Sequence, residues 1–86
     1  MPEISRFYGL VITMHWGDHL PPHFHVRCGG YRALVAIAPV ALLAGDLPPR
    51  ALGMAMEWAR LHRDELFGDW ELAAEERPLK RIQPLE

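Results

Sequence analysis

His23-Phe24-His25-Val26-Arg27-Cys28-Gly29-Gly30-Tyr31-Arg32-Ala33-Leu34-Val35-Ala36-Ile37 is the stretch that decides the fold. Polar and apolar side chains alternate from His23 to Cys28, the period of a strand with one face buried and the other wet. Two glycines then supply the positive φ of a tight hairpin, and Tyr31 to Ile37 reads as the returning strand. Closing the hairpin at Gly29-Gly30 sets the register: Cys28 faces Tyr31, Arg27 faces Arg32, Val26 faces Ala33 and His25 faces Leu34.

Upstream, Phe7 to Trp16 is rich in β-branched and aromatic residues and reads as the first strand. Its even positions Tyr8, Leu10, Ile12 and Met14 are apolar, whereas the odd positions end in Thr13 and His15, so the even side is expected to face the core. Gly17-Asp18-His19-Leu20-Pro21-Pro22 is a loop, because two prolines remove donors and Gly and Asp favour turns. Downstream, Pro39 closes the hairpin and Val40 to Ala44 returns as a fourth strand, ending at Gly45-Asp46. Leu47-Pro48-Pro49 opens a helix, since proline is tolerated where the first amide hydrogens have no partner. The helix runs from Arg50 to Phe67, with Leu52, Ala55, Met56, Ala59, His62 and Leu66 as its inner stripe and Met54, Trp58 and Leu61 flanking it. Gly68 is expected to interrupt, Asp69 to cap a second short helix from Trp70 to about Glu76, and residues 79–85 to form an extended edge piece. The expected architecture is therefore α+β: an antiparallel four-stranded β-meander packed on one long C-terminal helix, with a short second helix and an extended tail.

A chain of 86 residues hides too little surface for two cores, so residues 1–86 are read as one domain. Hydrophobic residues make up 50% and charged residues 23%, a globular balance rather than a disordered one. No apolar run approaches the roughly 18 residues that a membrane span needs, and the N-terminus lacks the order of a signal peptide. The expected home is the cytoplasm, in keeping with a single cysteine, Cys28, that has no internal partner. The net charge of −2 speaks against tight nucleic-acid binding. It is unevenly spread: Arg6, Arg27 and Arg32 outnumber Glu3 and Asp18 in the first half, which also holds four of the five histidines. That half can hold an anion locally.

The dense constellation is Asp18-His19-Leu20-Pro21-Pro22-His23-Phe24-His25, with His15 just upstream. Residues two apart on a strand share a face, so His23 and His25 project together, opposite Phe24 and Val26. If the flanking strands pair, His15 joins them. Three chemistries fit. His15, His23 and His25 can ligate a divalent transition metal such as zinc, leaving one position open. His23, His25, Asp18 and His19 can act as acid and base on a phosphodiester such as RNA, with Arg27 and Arg32 holding the anion. Or the imidazoles simply bond loop carbonyls and lock the proline-rich turn. Cys28 reads as core. Trp58 and Trp70 read as packing anchors or, more sharply, as hot spots for a partner chain.

The run Asp18-His19-Leu20-Pro21-Pro22-His23-Phe24-His25-Val26 resembles the signature of the family called domain of unknown function 4160. The opening residues 1–9, Gly45-Asp46-Leu47-Pro48, Glu57-Trp58-Ala59-Arg60-Leu61-His62, Glu65-Leu66, Trp70 and the closing residues 80–85 agree with it. The resemblance implies a small bacterial protein, often encoded beside another small protein of unknown function in a toxin–antitoxin-like pair; no catalytic residues come with it. The leading expectation is a toxin-like binding module that docks a neighbour-encoded protein or a second copy of itself through an apolar helix stripe or an edge strand. The rival is a small metal- or histidine-dependent hydrolase.

Overall fold

The computed structural model describes residues 2–86, which form an α+β structure with a five-stranded antiparallel sheet and two helices. The strands are β1 (Glu3–Phe7), β2 (Leu10–Thr13), β3 (His23–Cys28), β4 (Tyr31–Ile37) and β5 (Val40–Gly45), paired in chain order. The helices are α1 (Pro49–Leu61) and α2 (Arg63–Ala74).

The expected first strand is in fact a hairpin, and this is why the sheet has five strands and not four. Tyr8 and Gly9 both take positive φ, +48° and +82°, so the chain reverses between Phe7 and Leu10. That geometry matches the right-handed twist of the flanking strands, and it throws Tyr8 outward, 60% exposed, instead of into the core. Leu10, Ile12 and Met14 are fully buried as the alternation requires. The β3–β4 hairpin has the register set by its glycines: Cys28↔Tyr31, Arg27↔Arg32, Val26↔Ala33 and His25↔Leu34.

In β5 the alternation breaks. Ala44 pairs with Leu34 and Leu42 with Val35, so Leu43 is an extra residue on the edge strand, a β-bulge. Gly45 ends the strand at φ +81°, pressed so close to Arg32 that any Cβ would collide with the Arg32 carbonyl.

The helical region also departs from expectation. The helix expected over Arg50–Phe67 does not run unbroken to Phe67: α1 ends at Leu61 and α2 begins at Arg63. The chain turns instead at His62 (φ −118°, ψ 29°), and α2 then runs through both Gly68 and Asp69. Gly68 does not interrupt, and Asp69 is no cap: it is buried in α2, where its Oδ1 accepts the Lys80 amide hydrogen at 2.9 Å. The inner stripe of α1 is rotated toward Trp58. Ala51, Ala55, Trp58 and Ala59 are buried, Leu52 and Met56 lie at its margin, and Leu61 is exposed.

Trp58 is the hub of the core. Its ring lies 5.5 Å from those of Phe7 and Phe24, and its Nε1 donates to the Gln83 carbonyl at 2.7 Å. The tail thereby closes over β1: the Ile82 amide donates to the Ile4 carbonyl at 2.8 Å, and Arg81 pairs with Glu3. One sheet edge is covered in this way; the other, β5, has no such cover among the described residues. No helix among those residues is long and apolar enough to cross a membrane.

Candidate functional site: a histidine–aspartate cluster on the open sheet face

The helices bury the face carrying Leu10, Ile12, Phe24, Val26 and Val35, so the alternate residues of β2–β4 form the opposite face. On it lies a groove of about 280 Å³ whose lining includes Thr13, His15, His25, Arg27, Arg32 and Leu34. The pairing Thr13↔His25↔Leu34 places these three in one row across the strands, with Arg27↔Arg32 in the next.

Asp18 lies behind the groove's lining and organises the imidazoles beside it. Its Oδ1 accepts the His19 amide hydrogen at 2.9 Å, while Oδ2 lies 3.0 Å from His23 Nε2 and 2.9 Å from His25 Nε2. Burial pushes the Asp18 carboxyl up, but the bond from His25, the His19 amide and the neighbouring imidazole charges outweigh it and hold the group down at about 2. His23 is buried, and its Nδ1 donates to the Pro21 carbonyl at 2.8 Å. Trp70 lies 5.4 Å from the His23 ring, closing that side. His15 stacks on His25 with ring centroids 3.6 Å apart and planes within 7°. Burial, and then the charge of His25, lower the His15 pKa from its ordinary value.

The residues singled out in the sequence thus divide. His15, Asp18 and His25 come together at the groove, and one ligand atom from each lies within 4.8 Å of the others. His23, of the expected metal trio His15, His23 and His25, lies beside them with Nδ1 against the Pro21 carbonyl and Nε2 3.0 Å from Asp18 Oδ2. His19 contributes its backbone amide alone and its side chain is exposed. Arg27 and Arg32 stand opposite each other on the exposed rim. Trp58, fully buried, presents no surface to a partner, and Trp70 is half-buried.

Chemically, the Asp18–His25 pair orients an imidazole and the two arginines favour an anion in the groove. Asp18 as the hub carried no local signal beyond the Asp-His-x-Pro-Pro string. The lining roles of Thr13 and Leu34 follow only from cross-strand register.

A family model, Domain of unknown function (DUF4160), matches residues 9–71, a span from the first hairpin turn to α2 that contains the whole cluster. No curated protein and no solved structure matches the chain.

Proposed function

From the premise that the chain belongs to this family of unknown function, we propose that it is the toxin-like member of a two-gene module and acts by binding the small protein encoded beside it. The pairing of genes that the family resemblance implies supports the toxin-like half of this reading. The open edge strand β5 supports the binding half.

That strand carries the observation on which the reading rests. Its six residues, VALLAG, contain no charge and no proline, two of the devices by which an edge protects itself; the bulge is the one it has. The bulge at Leu43 leaves two adjacent leucines facing solvent, Leu42 at 40% and Leu43 at 44% exposure. An apolar edge of this kind is a feature of surfaces that are covered in use. The same bulge argues for a different chain rather than a second copy: two β5 strands pairing antiparallel would bring two extra residues into one ladder, whereas a partner strand or helix can be shaped to the irregularity.

Co-expression with the adjacent gene product tests this. The expected result is a stable complex on size exclusion, with growth slowed by this chain alone and restored by the pair. Fully burying a leucine is worth about 1.5–3 kcal/mol, and the exposed two-fifths of Leu43 accounts for roughly 1 kcal/mol of that. Leu43→Lys, which also buries a charge, should therefore weaken the complex at least about tenfold. A monomer indifferent to the neighbour-encoded protein, or a homodimer through β5, contradicts the proposal.

A further inference from the structure

One buried atom in the cluster lacks what its chemistry requires. His15 Nε2 is shielded from solvent and has no hydrogen-bond partner among the described protein atoms, a condition that costs stability unless something pairs with the atom. The same imidazole offers a ring nitrogen that, together with the Asp18 carboxylate and His25, makes a set of three ligand atoms within 4.8 Å of one another.

We propose that His15, Asp18 and His25 bind one divalent transition-metal ion of the zinc class, with the fourth coordination position facing the groove beside Arg27 and Arg32.

The donor set selects the ion. Two imidazoles and one carboxylate suit zinc, cobalt or nickel, whereas magnesium and calcium favour oxygen alone. Three protein ligands with an open fourth position is the pattern of zinc sites that bind an exogenous ligand. The positions come from two places: the segment between β2 and β3 carries His15 and Asp18, and β3 fixes His25. Asp18 is held from behind, since His19 donates its amide hydrogen to Oδ1 and His23 Nε2 contacts Oδ2. His23, tied in turn to the Pro21 carbonyl, is a positioning residue of the kind that orients a metal-bound carboxylate. Metal–nitrogen and metal–oxygen bonds of about 2.0–2.2 Å bring tetrahedral ligands roughly 3.5 Å apart. The 2.9 Å His25–Asp18 pair therefore opens on binding, its hydrogen bond exchanged for two bonds to the metal, while the stacked rings of His15 and His25 fan apart to aim at the ion. Ala44 and Gly45 of β5 line the far side of the groove, but none of the three ligands lies on β5, so loss of metal binding in His15→Ala and loss of partner binding in Leu43→Lys are separate outcomes.

The test uses the full chain without a histidine tag, stripped with a chelator. Titration with Zn²⁺ by calorimetry is expected to show one equivalent, and Co²⁺ is expected to give the visible absorption of a four-coordinate site. His15→Ala should abolish stoichiometric binding. His23→Gln should weaken it about 10–100-fold at unchanged stoichiometry, and His62→Ala, outside the cluster, should leave it intact. Substoichiometric Co²⁺ should broaden the ring-proton resonances of His15 and His25 but spare those of His62, which reads the site with no substitution at all. Absence of stoichiometric binding, binding equal in His15→Ala, or broadening centred on His19 or His62 would overturn the assignment.

Discussion

Replacing Asp18 with Asn should destabilise the metal-free protein by about 2 kcal/mol at neutral pH, a value reached by two routes. A carboxyl held at about 2 in the folded chain against an ordinary 3.8 corresponds to about 2 kcal/mol of preferential stabilisation of the charged form. Separately, the Asp18 side chain is only 21% exposed and lies 3.0 Å from the buried His23; a hydrogen bond to a charged group is worth about 1.5–3 kcal/mol. For a domain of this size the loss translates into a melting point lower by roughly 8–16 °C. The pH dependence follows from the sign of the shift. Because the folded pKa is depressed, the contribution is complete above about pH 4 and disappears as pH falls through about 2. Urea denaturation in the presence of a chelator, repeated from pH 7 to pH 2, measures both. The wild type and Asp18→Asn should differ by about 2 kcal/mol at pH 7 and converge in acid. A difference below about 0.5 kcal/mol at pH 7, or one that persists unchanged at pH 2, would refute the view that Asp18 ties the loop to β3.

Other substitutions probe the scaffold. Trp58→Ala should cost about 3–5 kcal/mol and, by removing the bond to the Gln83 carbonyl, should raise amide exchange at Ile82; an unaltered tail would show that Trp58 does not anchor it. Tyr8→Asn should raise the urea midpoint slightly, because Asn accepts the left-handed backbone at φ +48° more readily than Tyr, and a lowered midpoint would contradict that reading of the turn. Asp69 is buried with Oδ2 unpartnered, and burial raises its pKa despite the Lys80 amide. A carboxyl with a raised folded pKa loses stability as pH rises through that value, so Asp69→Asn should be favoured over wild type at pH 7 and lose the advantage in acid.

How much the residues revealed depended on whether the signal was local. The β3–β4 register was legible because alternation and a Gly-Gly turn specify the same pairing. The Tyr8-Gly9 turn was hidden inside an aromatic and β-branched run, since Tyr is an unusual occupant of positive φ and nothing nearby marked a break. The first helix ends where no Gly or Pro stands, at His62, and the second passes through Gly68, because the burial of Leu66 and Ala73 on either side of Gly68 overrides local propensity. The clustering of imidazoles followed from strand periodicity. That Asp18 lies within reach of His23 and His25 depended on the path of the loop, which also brings the Pro21 carbonyl to His23 Nδ1. Trp58 looked like a flank because the apolar arc of α1 is wide, and only the docking of the tail chose its centre.

Amide hydrogen exchange across β5, followed residue by residue with and without the neighbour-encoded protein, addresses partner capture most directly. Slowed exchange confined to Val40–Gly45 and its surroundings, absent in Leu43→Lys, is the predicted result. Protection elsewhere with β5 still exchanging freely would contradict it.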